Sequence, residues 1–314
     1  MESKNNWKAW LYLAPVIVLL AVFTFYPIIN TIFVSFLKGY NYYTGKFDSF
    51  SLYNYLAVLT TSTEEGSYMF NLVMKEALPN TLLITIITVP LSIILSLLIA
   101  LGLNSIKVLK KFFQTVFFMP YVTNAIAIGM VFAVVFNADY GIFNAIFGLG
   151  KTGWVTKAVT STTGVNYFNG LFAICFYIIW HSLPYKILIF LGGLQNIDAQ
   201  YYDAAKIDSA PKWKVALRIT VPLLSPQILY MLITSFIGSF KEYNAVVGLF
   251  GKDGGAFQGE GLPTSMKTMV FFIYDQLRFP ENVPFACAAS VVLLIIIMLI
   301  TLVQMRVSKR RVHY

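Results

Sequence analysis

Two short runs carry side chains that could do chemistry inside otherwise apolar stretches of this chain. In the first, His181, Ser182 and Tyr185 stand at i, i+1 and i+4, with Ile178 one turn earlier. In the second, Ser235, Gly238, Ser239 and Glu242 fall at i, i+3, i+4 and i+7, which is one face of a helix. Short hydroxyls, a carboxylate, an imidazole and a phenol ring suit a ligand with many hydroxyls and apolar ring faces. The same residues have a structural reading: serines bond back to their own helix, and His181 packs as a satisfied interior histidine. Lys186, near the end of its run, reads as a side chain that snorkels towards the membrane surface.

Catalytic material is scarce. The chain has two histidines, His181 and His313, too few for a histidine-based metal centre or triad. AIFGLGKT at 145–152 has the look of a phosphate-binding loop, with Ala145 where the first glycine belongs. Such a loop works between a buried strand and a helix, whose N–H groups cradle the phosphates; no strand pattern precedes this one. GKDGGAFQGEG at 251–261 lacks the Lys-Ser/Thr ending and reads as a turn-rich loop. No energy-converting or catalytic site is expected in this chain, and no metal site.

The elements that position these residues are membrane helices. Of the 314 residues, 58% are hydrophobic and 12% charged, against roughly 25% charged in a soluble domain. Windows 9–37, 77–106, 112–138, 158–185, 219–240 and 282–305 hold no Asp, Glu, Lys or Arg. Each can supply the roughly 20 apolar residues that cross a bilayer as a helix, the form that satisfies its own backbone in lipid. The spans are placed near 11–36, 80–103, 117–136, 170–191, 225–248 and 284–305, giving an all-α polytopic fold of six transmembrane helices. The first apolar run, Leu11 to Leu37, far exceeds the about 7–15 residues of a signal-peptide core. Trp7, Trp10, Tyr26, Tyr40, Tyr42 and Tyr43 flank it as an interfacial belt. Cys175 and Cys287 fall in spans and read as small buried hydrophobes.

Six spans put both termini on one side. That side holds Lys4, Lys8, Lys107, Lys110, Lys111, Lys206, Lys212, Lys214, Arg218, Arg306, Lys309, Arg310 and Arg311. The opposite loops carry nine basic residues over a much longer length. The positive-inside rule makes the termini cytoplasmic. The net charge of +9 is then mainly a topology signal, and no nucleic-acid partner is implied.

One polar segment interrupts the apolar second half. In DAQYYDAAKIDSAPKWKVALRITVPLL (198–224), Asp198 fits the N-cap of a helix from Ala199 to about Ile207. Asp208 and Ser209 could cap a second helix with Pro211 in its first turn, ending near Pro222, which bends the chain into the fifth span. The two make an elbow beneath the membrane, with Ala204 and Ala205 as a small face and Asp203 and Asp208 recurring on nearly the same side. A solvated loop is the plainer alternative.

DAAKIDSAPKWKVALRITVPLL resembles the EAA loop of permeases from binding-protein-dependent ABC importers. Asp203 stands at the Glu position, Ala204 and Ala205 match, Asp208 and Ala210 flank the usual Gly, and Trp213, Arg218, Ile219, Pro222, Leu223 and Leu224 match further on. Asp203 is one methylene short, and Ser209 replaces the Gly at the bend. YLAPVIVLLAVFTFYPIINTIFVSF (12–36) and ALPNTLLITIITVPLSIILSLLIAL (77–101) are similar to the first span and permease block of maltose-type and glycerol-phosphate-type sugar permeases, the first of two paired subunits. The resemblance implies a type I importer permease fold, with an N-terminal span and outer loop (1–75), a five-helix core (76–306) containing the coupling loop (195–224), and a cytoplasmic tail (307–314).

Further implications concern roles and partners. The resemblance implies a non-catalytic permease in the bacterial plasma membrane, passing a carbohydrate, or a glycerol-phosphate-like polyol, delivered by an extracytoplasmic sugar-binding lipoprotein. It implies a second homologous permease and a cytoplasmic ABC ATPase dimer that binds ATP and Mg, with no cofactor in this chain. Asp203, Ala204, Ala205, Asp208, Ser209, Ala210 and Pro222 would form the coupling surface. The positions around His181 and Glu242 match where the maltose-type family contacts sugar. An ion-coupled secondary transporter would need broken helices around a site and usually an internal repeat; a membrane enzyme would need a clustered acid, base or metal set.

Overall fold

The computed structural model describes residues 6–61, 66–106, 110–156 and 164–308. Lys4, Lys107, Lys157, Lys309, Arg310, Arg311 and His313, used in the sequence reading, lie outside them. Four continuous helices are long and apolar enough to cross a membrane: α1 (Trp10–Ser35), α2 (Tyr68–Ser105), and the Tyr167–Gln195 and Pro280–Ser308 helices. Two bent pairs supply up to two more spans. They fall where the third and fifth spans were expected, and both differ from simple rods.

The third span breaks where it was expected to run on. Helix α3 (Lys110–Val122) ends before Asn124, and α4 (Ala125–Val135) leaves at 104° to it. Asn124 adopts an extended conformation, and its side-chain oxygen accepts the N–H groups of Ile126 and Ala127 at 2.9 and 3.1 Å. An Asn in this role starts a new helix, so an uncharged window need not be one rod.

Two compact units emerge from the packing, residues 1–74 with 272–295 and residues 75–271 with 296–314. In the first, no residue in the most apolar window of α1 is buried, and Trp7, Trp10 and Tyr26 are exposed. Buried Asn54 secures the end of α1 by donating to the carbonyls of Ser35 and Leu37, each at 3.0 Å. The adjoining segment pairs Leu37–Lys38 with Ser49–Phe50 as a short antiparallel hairpin. The outer loop expected here thus contains ordered structure, including a helix at Tyr53–Leu59.

The second unit is built on α2 and α5 (Tyr167–Gln195), which pack along each other, with α3 against α5. Asn166 caps α5 through the N–H of Phe168. Beyond α5 come α6 (Ala199–Ile207), α7 (Lys212–Leu223) and α8 (Ser225–Phe240). Val89 and Ile93 of α2, Ile187 and Phe190 of α5, and Met231 of α8 share one buried cluster. Helix α9 (Asn244–Phe250) crosses α4 at a glycine pair: a Cβ on Gly129 would come within 2.8 Å of the Gly248 Cα. Small residues allow such contact where helices associate by close packing in lipid.

The fifth span was expected to be continuous over 225–248. Instead α8 stops at Phe240, Lys241–Tyr243 leave the helix, and α9 begins at Asn244. Glu242 causes the restart by accepting the Ala245 N–H at 2.9 Å, while Thr268 Oγ1 donates to the Glu242 carbonyl. A carboxylate at the first turn of a helix meets unpaired N–H groups and the positive dipole end.

Candidate functional site: a polar cavity and a cytoplasmic elbow

A cavity of about 280 Å³ opens between α2, α3, α5 and α8. His181, Ser182 and Tyr185 reach it from α5; Ser235, Gly238 and Ser239 reach it from α8, with Glu242 just beyond. All seven residues singled out by helical spacing therefore line one space. Ser239 is 8% exposed, and its hydroxyl lies 2.9 Å from that of Thr85 on α2. Its partner is another helix rather than its own, so the back-bonding alternative does not describe Ser239. It does describe Ser182, which donates to the Ile179 carbonyl at 3.0 Å. His181 stacks on Tyr177 at 5.7 Å, but its buried Nε2 has no hydrogen-bond partner among the described residues. A satisfied interior histidine would have one.

Several lining residues escaped the sequence reading. Thr88 and Ser92 come from α2, where Thr81, Thr85, Thr88, Ser92 and Ser96 form a buried hydroxyl stripe at spacings of four, three, four and four. That period is legible in the sequence; what it faces is not. Tyr121 of α3 stacks on Tyr185 with centroids 5.7 Å apart and planes within 16°, and the Tyr185 hydroxyl lies 3.1 Å from that of Tyr230. Parallel rings beside hydroxyls offer a flat apolar surface with polar edges.

Lys186 requires a correction. It does not snorkel: it is 6% exposed, lines the cavity, and donates to Ser92 Oγ on α2 and, at 3.2 Å, to Ser182 Oγ. The hydroxyl stripe holds the ammonium inside the helix bundle, a possibility invisible from the position of Lys186 along α5 alone.

The elbow follows α5. Asp198 caps α6 through the Gln200 N–H at 3.0 Å, and α6 has the bounds expected, Ala199–Ile207. The second helix begins differently. Pro211 occupies its N-cap with no side-chain cap bond, while Asp208 closes α6 as its C-cap. Ser209 lies at φ 50°, the left-handed region glycine adopts without a Cβ clash; it stands where the EAA pattern has Gly. Pro222 sits near the end of α7, which meets α8 at 68°. Asp203 and Asp208 are exposed, and Asp203 accepts a 2.7 Å bond from Lys206. The two alanines do not share a surface. Ala204 is exposed, whereas Ala205 is 5% exposed, with Ala210 half-buried nearby in sequence.

The segment at 145–152 begins inside a helix, Ile142–Phe147, closed by Gly148 in the left-handed conformation. Its Asn144 binds the Ala138 and Thr152 carbonyls, fixing a turn rather than a strand-to-helix phosphate cradle. Among the described residues no group of three or more His, Cys, Asp or Glu could hold a metal ion.

Residues 92–314 match the family described as "Binding-protein-dependent transport system inner membrane component". The chain belongs to this family. It is similar to a lactose transport system permease protein of Rhizobium radiobacter, 29% identical over 97% of this chain and 95% of that one. A Bacillus subtilis arabinooligosaccharides transport system permease protein is likewise 29% identical, covering 95% of this chain and 88% of the relative. In fold, the chain is similar to a crystal structure of a bacterial ABC transporter involved in alginate import, with a TM-score of 0.74 over 98% of this chain and 96% of that chain, at 18% identity. As an inner membrane component, it is the non-catalytic, multi-pass transport part of an ABC importer, all-α in fold.

Proposed function

We propose that this inner membrane component is one of two paired permeases of a carbohydrate importer, of the maltose or glycerol-phosphate type, and that its cavity forms part of the sugar path. The observation that carries this reading is the convergence of His181, Ser182, Tyr185, Ser235, Gly238, Ser239 and Glu242 on one space. Relatives named for lactose and arabinooligosaccharides support a sugar. Hydroxyls and carboxylate would exchange hydrogen bonds with sugar hydroxyls, and the Tyr121–Tyr185 stack would cover a ring face.

Energy enters by contact. Asp203, Ala204, Asp208, Ser209 and Ala210 form the coupling surface on a cytoplasmic ATPase dimer, with Ala205 and Pro222 setting the shape of the elbow from within. ATP and Mg are bound by that partner; an extracytoplasmic binding lipoprotein delivers the sugar; both termini are cytoplasmic. The test is uptake into vesicles carrying this chain, a second permease, the ATPase and the binding protein, with labelled lactose, an arabinose oligosaccharide and glycerol 3-phosphate supplied in turn. ATP-dependent uptake of a sugar by the four-part complex, abolished by omitting the second permease, is expected. Full uptake by this chain without a second permease would overturn the pairing, and uptake of glycerol 3-phosphate alone would overturn the sugar substrate in favour of the glycerol-phosphate-like polyol.

A further inference from the structure

Among the described residues Lys186 has no counter-charge. Its ammonium is buried and bonded only to Ser92 Oγ and Ser182 Oγ, and among the described residues no carboxylate lies within ion-pair distance of it. Each serine hydroxyl gives its single proton to its own helix, Ser92 shared between the Thr88 and Val89 carbonyls and Ser182 to that of Ile179, so each offers the ammonium a lone pair of a neutral oxygen and no counter-charge. An ammonium has three donors, and two are used. Buried cations in proteins are paired, since the desolvation cost of an isolated one is several-fold larger than a neutral hydrogen bond returns.

Glu242 is the carboxylate of the same cavity, and it is spoken for. Its Oε1 accepts the Ala245 N–H at 2.9 Å, at the start of α9. Glu242 is thus engaged at the start of α9, while among the described residues no acidic side chain pairs with the Lys186 ammonium. The cavity has a hydroxyl-and-carboxyl end at Ser239 and Glu242 and a cationic end at Lys186.

We infer that Lys186 is a specificity-determining residue that selects sugars bearing an anionic group, a carboxylate, sulfonate or phosphate, with its free donor directed at that group. A charge-assisted bond of this kind forms at the cost of no further desolvation of the lysine, which the fold has already buried. The inference rests on the cavity being the sugar path. A carboxylate contributed by the paired permease is the competing source of compensation, and it would make the site indifferent to substrate charge.

The test uses the full importer complex in nanodiscs, free of nucleotide and of the binding protein, so that the permease site is read alone. Its probes are matched disaccharides in galacto, gluco and manno series, each pair differing only by a C6 carboxylate against a C6 hydroxymethyl. In the wild-type complex the carboxylate member of at least one pair should bind about tenfold tighter than its neutral twin. Lys186→Met should bring that ratio to near one, as should Lys186→Gln, which keeps donors for the serines; Lys186→Arg should retain the preference. Sugar binding with a wild-type ratio near one, or a preference that survives Lys186→Met or Lys186→Gln, overturns the inference and leaves the sugar path standing. Binding of neither member of any pair removes the sugar path from this cavity, and the inference with it.

Discussion

The cavity and the elbow are both polar interruptions of an apolar chain, yet they solve opposite problems. In the cavity almost every polar group is used within the protein: Ser239 meets Thr85, Lys186 meets Ser92 and Ser182, and Glu242 starts α9. In the elbow Asp203, Asp208 and Lys206 stand in the open, and the Asp203–Lys206 pair has side chains 63% and 77% exposed. Such a pair contributes about 0–1 kcal/mol to stability. Polar residues inside the helix bundle are thus tied to the fold, whereas those on the elbow have little to do until a partner arrives. Mutations in the first region should register in the isolated protein, and those of the exposed charged residues in the second only in the complex.

Asp203→Lys should show the largest effect and the sharpest contrast. If Asp203 meets a cation of the ATPase, reversal strands that charge and adds repulsion, costing roughly 2–5 kcal/mol at the interface, while the melting temperature of the purified chain stays nearly unchanged. Asp203→Asn should lose less. ATPase pull-down and substrate-stimulated hydrolysis check both variants, and normal values for Asp203→Lys would place the coupling elsewhere.

Ala205→Trp lies within the elbow but should behave like a cavity mutation. Its methyl is buried in its own chain, so an indole forces repacking at about 1–3 kcal/mol and should lower the melting temperature before any partner is added. An unchanged melting temperature with lost ATPase binding would return Ala205 to the contact surface.

Ser239→Leu should act in the reverse direction. It fills the cavity and leaves the Thr85 hydroxyl without its partner, a cost of about 1–3 kcal/mol, and it should impair uptake while ATPase binding persists. Glu242→Gln still accepts the Ala245 N–H and should change stability less than uptake. Wild-type uptake by both variants would move the sugar path off this chain.

Ser209→Gly should give the smallest shift. It removes the Cβ clash of a left-handed residue, a gain of about 1 kcal/mol at most after the flexibility of glycine is counted. Thermal unfolding of the purified chain reads it, and stimulated ATP hydrolysis should be retained. A loss of stability would mean that the Ser209 side chain contributes something its backbone position does not reveal.

Much of this was legible in one dimension. Charge-free windows located the four continuous membrane-length helices, because a charge in hydrocarbon is costly enough to leave a visible gap. Asp198 and Pro222 marked the limits of the elbow because capping and proline effects act over a few residues. Spacing placed Ser235, Gly238, Ser239 and Glu242 on one side, since helical period is a local property. The break at Asn124 was less visible, because one Asn in an apolar run reads equally as a tolerated polar residue or a cap. Tertiary structure alone decided what each side faces. Ser239 and Thr85 are 154 positions apart, and Lys186 and Ser92 are 94. No periodicity relates residues on different helices; only packing brings the hydroxyl stripe of α2 to Lys186, turning an apparent surface lysine into a buried cation.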